Sequence, residues 1–382
     1  MPLFLNVSEH IDSQWCFGGS SNHSENFNFS RGIVSSKGIS DKDFNMPISV
    51  RCLDEFIYVL DSGNNRIKLL NKNGQFVKHI RHRGLDDSSC TAMAAIKLNS
   101  TNHLFTINWR SKLLCRYELN NNKINYEAPE TLTAHELADP LVQEPIGLAE
   151  TFSPNLFIIQ DKKKLHLCSN TGKIVYESLE VKIKNESNLK NITAFCGHPI
   201  RKRLFIADST GNSTSIYEFG LNWLCDFKLK TILNLANEQE VAEEEEEAHF
   251  TFRKYNPQQN SLSTSNSSLN SSISCASSAT TATSSTNATL NSLNSLGSLS
   301  SKGTYTSLWF DRFTSKLLAA KCDKQKTVIE IYNSETCSYE YAIESSKNEK
   351  ALRRVTSMCC TDDGRVVCVD LVQNCVKMFR FI

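Results

Sequence analysis

Residues 44–80 read FNMPISVRCLDEFIYVLDSGNNRIKLLNKNGQFVKHI. Four short runs suited to extended backbone, 48–53, 57–61, 66–70 and 76–80, are separated by turn chemistry at Pro47, at Ser62–Asn65 and at Asn71–Gly74. Gly and Asn adopt the left-handed backbone of tight hairpins at low cost, so these clusters end one strand and start the next. Four antiparallel strands in under 50 residues make a small meander. Such a meander cannot bury its apolar faces alone and must stack against others like it.

The rest of the chain supplies the others. Residues 355–382, VTSMCCTDDGRVVCVDLVQNCVKMFRFI, repeat the pattern with a DDG turn, and weaker copies lie at 103–118, 155–175, 203–219 and 316–332. Aligning the polar residue that closes the second strand gives Asp61, Asn108, Asp161, Asp208, Asp323 and Asp370, spaced by 47, 53, 47, 115 and 47 residues. The long interval contains residues 237–302, an acidic run followed by a tract of Ser, Thr and Asn. That composition buries too little apolar surface to offset the entropy of ordering. Without its 66 residues the interval falls to 49, in step with the others.

The expected fold is therefore all-β, a six-bladed β-propeller with a long disordered insertion between blades four and five. The expected divisions are an N-terminal extension over 1–26, a closing strand and four blades over 27–236, the insertion over 237–302, and two blades over 303–382. The last blade has three strands of its own, and an unpaired edge is a liability. Residues 27–34, FNFSRGIV, are placed to supply the fourth.

Composition narrows the function. The chain of 382 residues has 42 Lys and Arg against 41 Asp and Glu, so no global charge points to nucleic acid or to a cationic partner. Outside the insertion the balance is 39 to 34, which permits a basic patch. The 14 cysteines include no C-x-x-C pair, the ligand spacing of a structural zinc site. No signal-peptide pattern and no run of about 20 apolar residues occur. These features read as a cytoplasmic protein with free thiols and no membrane partner.

Residues Phe44, Pro47 and Val50, followed by IYVLDSGNNRIKLLNKNGQF, carry a pattern that resembles the NHL repeat, and DGRVVCVDLVQNCVKMF near the C-terminus is similar. The other four repeats keep the hydrophobic spacing but lose the D-x-x-N-x-R signature. The resemblance is to the propellers of tripartite-motif NHL proteins and the brain tumor protein. It implies a six-bladed platform that binds protein partners or single-stranded RNA on one face. RING, B-box and coiled-coil patterns do not occur, so any role in the ubiquitin pathway would be presentation of clients.

In a propeller the loops between second and third strands share one face with the loops between blades. There the sequence offers Arg66, Trp109, Arg110, Lys112, Lys162, Lys163, Lys164, Lys324, Lys326, Arg353 and Arg354. Positive charge beside a stacking ring suits single-stranded nucleic acid. Equally, loop Lys and Arg are ordinary solvated residues, Arg66 can brace neighbouring strands, and Trp109 can pack between blades. The aligned aspartates are expected to accept hydrogen bonds from backbone N–H groups of the following turn. A lyase or metal-dependent lactonase needs convergent His, Glu or Asp ligands, but the nine His share no repeat position. The sequence thus points to a non-catalytic protein-interaction scaffold with single-stranded RNA binding as the alternative. No metal, cofactor or small-molecule substrate is expected.

Overall fold

The structure is a computed structural model that describes residues 3–6, 15–18, 38–81, 83–98, 101–119, 131–137, 142–162, 164–181, 191–201, 203–210, 213–221, 226–233, 249–254, 303–324, 326–336, 338–344 and 352–380. By its contacts the chain divides into one unit of Met1–Lys254 with Ser301–Ile382 and another of Tyr255–Ser300. All the described residues belong to the first, which is a β-propeller.

Each meander follows from its turns. The first sheet runs Pro47–Leu53, Phe56–Asp61, Arg66–Asn71, Phe76–Ile80. Its SGN turn is a short 3-10 segment capped by Asn65 in the left-handed region (φ 53°), a backbone that Asn tolerates better than most residues. A Cβ on Gly63 would lie 2.6 Å from the Asn45 carbonyl oxygen, which accepts the Gly63 N–H, so only glycine fits. The run IYVL is apolar at every position because both faces of the sheet are covered. Ile57 and Val59 pack on Val367, Val369 and Met378 of the last sheet, whereas Tyr58 and Leu60 pack on Met93, Leu104 and Tyr117 of the second.

The second sheet is Cys90–Leu98, Thr101–Asn108, Leu113–Leu119, Thr131–Glu136. Two further meanders, from Pro145–Glu150 to Ile174–Val181 and from Ile192–Gly197 to Asp226–Leu233, share one nine-stranded sheet. A five-stranded sheet holds Thr304–Asp311, Lys316–Cys322, Thr327–Asn333 and Tyr339–Glu344, with Leu3–Asn6 added parallel at its edge. The last sheet is Val355–Cys360, Arg365–Asp370, Cys375–Arg380 and Trp15–Gly18. The first strand of each meander contacts that of the next, and Val355–Cys360 returns to Pro47–Leu53, closing the ring.

The first strands share a further feature. Each shows a register shift near its start, passing over Ile48, Thr91, Ile146, Thr193, Thr306 or Thr356. A bulge of this kind adds local twist and re-aims the strand end.

Three expectations are corrected here. Hydrogen bonding gives five sheets instead of six, because His249–Lys254 lies between Ile174–Val181 and Asp226–Leu233 and joins two meanders. That strand falls inside the expected insertion. Its alternation of Phe250 and Phe252 suits an extended strand, which the polar composition around it masked. The N-terminal chain does complete the last sheet, but through Trp15–Gly18 antiparallel to Cys375–Arg380. Residues 27–34 lie outside the described residues, as does most of 237–302.

Among the described residues His198 ties the fourth meander to the fifth. Its Nδ1 accepts the N–H of Ile200 (3.1 Å) and of Arg201 (3.0 Å), and its ring lies 3.9 Å from that of Phe310. Burial, helped by Arg201 and Arg203, pushes its pKa down to about 4. The folded state thus keeps this ring neutral while the unfolded chain takes up a proton near its ordinary value of about 6.5. Stability held above that value should be lost as pH falls toward 4, by on the order of 2 kcal/mol, and His198→Asn should flatten the loss in urea titrations at stepped pH. Deleting Tyr255–Ser300 should leave the thermal midpoint unchanged. Deleting all of 237–302 should lower it, because a paired strand is then removed.

Candidate binding face and central channel

The second strands end on one face of the propeller, beside the starts of the first strands: Pro47 pairs with Asp61, Pro145 with Asp161, Ile192 with Asp208 and Val355 with Asp370. The aligned carboxylates act there as staples. Asp61 accepts the N–H of Asn45 (2.7 Å), Asp161 those of Gln143 (2.9 Å) and Glu144 (2.5 Å), Asp208 that of Asn191 (2.7 Å), and Asp370 that of Arg353 (2.7 Å). The expectation that they serve the following turn is corrected. Each fastens the segment that enters its own first strand, which antiparallel pairing brings alongside. Bonds to the following turn are also made by Asn108 (Arg110 and Ser111 N–H, both 3.1 Å), Asp323 (Lys326 N–H, 2.8 Å), Asp370 (Gln373 N–H, 3.2 Å) and Asp61, which accepts the Asn64 side-chain amide at 2.8 Å. Burial raises the Asp161 pKa, yet His166 and the two backbone N–H groups outweigh that and hold it below the usual carboxylate range.

Arg66 is fully buried and belongs to this scaffold, so it is withdrawn from the binding face. Its Nε meets Asp61 at 2.7 Å, and its remaining N–H groups donate to the carbonyls of Ile39 (2.7 Å), Ser40 (3.0 Å) and Asp43 (3.0 Å). Lys68 reaches the Asp41 carbonyl at 3.1 Å and lies 3.9 Å from the Phe44 ring centre. Burial and the neighbouring Arg66 push its pKa down to about 8. Two cations therefore hold one loop of carbonyls against the first sheet.

The other expected residues divide. Arg110, Lys162, Lys164, Lys324 and Arg354 are exposed, and Lys112, Lys326 and Arg353 half-buried. Trp109 is half-buried with the Arg110 guanidinium 5.5 Å over its ring, so it is not an open stacking platform. Lys162 pairs with Glu144 at 3.1 Å. Lys163 lies outside the described residues. What the sequence missed are exposed apolar residues at the same end of the strands: Met46, Ile146 and Val372. Met46 precedes Pro47, Ile146 is a bulge residue and Val372 sits in the turn after Asp370. No periodicity marks them, because they sit at a strand entry, a bulge and a turn, where strand alternation is broken.

In the ring of first strands, Arg51 Nε lies 2.8 Å from Glu150 Oε1, which also accepts the Ala95 N–H at 2.8 Å. Arg51 Nη1 donates to the Val50 carbonyl (2.8 Å) and to Ser357 Oγ (3.2 Å), and the guanidinium lies 5.2 Å from the Trp309 ring centre. The pair thus touches all five sheets. A Cβ on Gly197 would fall 2.2 Å from the Glu150 carbonyl oxygen, so glycine is required for that approach. Elsewhere, the fully buried Glu330 accepts the hydroxyls of Tyr305 (2.5 Å) and Tyr332 (2.8 Å), with Lys321 Nζ at 3.5 Å. Among the described residues no group of three or more His, Cys, Asp and Glu is arranged to hold a metal ion, and no helix is long and apolar enough to cross a membrane.

No protein-family model matches the sequence, and no curated protein matches it. Among solved structures a similar one is a Bacteroides uniformis protein described as a candidate 6-phosphogluconolactonase. It is 10% identical, with 78% of this chain and 69% of that one covered and a TM-score of 0.41.

Removing one member of the channel pair leaves the other charge largely desolvated. Arg51→Met and Glu150→Leu should each cost about 3 kcal/mol in urea unfolding, and the double replacement Arg51→Met with Glu150→Leu should cost less than their sum.

Proposed function

We propose that this chain is a non-catalytic binding platform, a six-bladed propeller of NHL type in which the nine-stranded sheet counts as two blades. Six bulged first strands around one ring support that count. The buried Asp61–Arg66 pair supports the NHL reading, since it gives the D-x-x-N-x-R signature a structural purpose.

The ligand face is the one bearing the ends of the second strands, and its partner is a protein segment carrying acidic and apolar residues. The observation that carries this is the company kept there: exposed Arg110, Lys162, Lys164, Lys324 and Arg354 share the face with exposed Met46, Ile146 and Val372. Apolar anchors beside cations match a protein segment, whereas single-stranded RNA asks for open aromatic surfaces. The role is that of an interaction scaffold, which in the ubiquitin pathway would mean presenting a client.

Fluorescence anisotropy with a panel of acidic, leucine- and phenylalanine-containing peptides tests this against random single-stranded RNA at two salt concentrations. Peptide binding should weaken at least tenfold in Arg110→Glu/Lys164→Glu/Arg354→Glu and also in Met46→Ser/Val372→Ser. Salt-dependent RNA binding without peptide binding would replace this reading with RNA recognition.

A further inference from the structure

The first and last sheets meet along two strands that run side by side. Val50 donates its N–H to Ser357 Oγ at 3.1 Å, a pair 307 residues apart. Two residues further along both strands, Cys359 Sγ lies 3.2 Å from Cys52 Sγ, again 307 residues apart. The same offset in both pairs means that strand register presents the thiols to each other. Cys359 is buried and Cys52 partly so. The Cys359 thiol donates to Cys52, and this bond together with burial raises the Cys52 pKa well above its ordinary value. The neighbouring Cys360 packs against a different cluster, on the side of its strand that faces the five-stranded sheet.

We propose that Cys52 and Cys359 form a covalent modification site, a reversible disulfide joining the first sheet to the last through exchange with a low-molecular-weight disulfide of the glutathione class. One protein thiol loses its proton and attacks a sulfur of the small disulfide, breaking that S–S bond and releasing one small thiolate. The second protein thiol, deprotonated in turn, attacks the protein sulfur of the mixed disulfide and releases the other. Two protein thiols are oxidised, one small disulfide is reduced to two thiols, and these carry the two protons. The sulfurs must approach by ~1.2 Å to reach bonding distance of about 2.05 Å. The high thiol pKa makes the first step slow, so the bond responds to sustained oxidation. Once made, it closes a loop spanning nearly the whole propeller and restricts the unfolded chain accordingly.

The reduced wild-type protein incubated with glutathione disulfide, alkylated and digested with trypsin provides the test. Cys52 lies on the peptide 52–66 and Cys359 on 355–365. The expected product is these two peptides linked with Cys360 alkylated, two hydrogens lighter than the sum of 52–66 and singly alkylated 355–365. The link should persist in Cys360→Ser, vanish in Cys359→Ser and reverse with dithiothreitol. The thermal midpoint of oxidised wild type should rise by on the order of 5 °C. Recovery of both peptides alkylated, as separate glutathione adducts, or linked through Cys360 would overturn the proposal. The wild-type and Cys360→Ser proteins carry the result even if a Cys359 variant folds poorly.

Discussion

The ion pair of Arg51 and Glu150 is the contact on which the ring depends. A propeller places its first strands around an axis, where side chains from separate sheets converge with little to fill the space between them. Here a guanidinium from the first sheet and a carboxylate from the nine-stranded sheet meet at 2.8 Å. Between them they engage Ala95 of the second sheet, Trp309 of the fifth-meander sheet and Ser357 of the last. Both side chains are mostly out of water, so their charges are compensated chiefly by each other and by the surrounding N–H and hydroxyl groups. An apolar plug could fill the same volume, but it would not fix the sheets to particular polar atoms.

Around this centre, the end of the repeats where the second strands finish is built from charge turned inward. Asp61, Asp161, Asp208 and Asp370 each accept backbone N–H groups at the entry to the first strand. Arg66 and Lys68 spend their donors on carbonyls of residues 39–43. These groups hold the loops in place and leave Arg110, Lys164 and Arg354 to face solvent. Cations of one residue type thus divide into those that build the face and those that present it.

Closure of the ring concentrates in the meeting of first and last sheets. Trp15–Gly18 completes the last sheet, Met46 donates its N–H to Asn374 at 2.9 Å, Ser357 bonds Val50, and Cys359 meets Cys52. Contacts this distant in sequence form late and at high entropic cost. A cluster of hydrogen bonds at the seam, with a thiol pair among them, fits the part of the fold that has most chain entropy to overcome.

How much of this was legible depended on range. Turn chemistry and strand alternation are local, so the sequence by itself determined the four-strand meander, its recurrence near 47 residues and an all-β propeller. It also marked the end of the strands where loop cations gather. Tertiary structure alone decided which cations remain there: Arg66 and Arg110 look alike in a loop, yet one is enclosed by its own staple partner. It also decided that Trp15–Gly18 closes the last sheet, that His249–Lys254 joins two meanders, and that Arg51 finds Glu150 across 99 residues. The reason is physical. A period of two says that a side chain faces one side of a sheet, but which atoms lie on that side is set by how the sheets pack around their common axis.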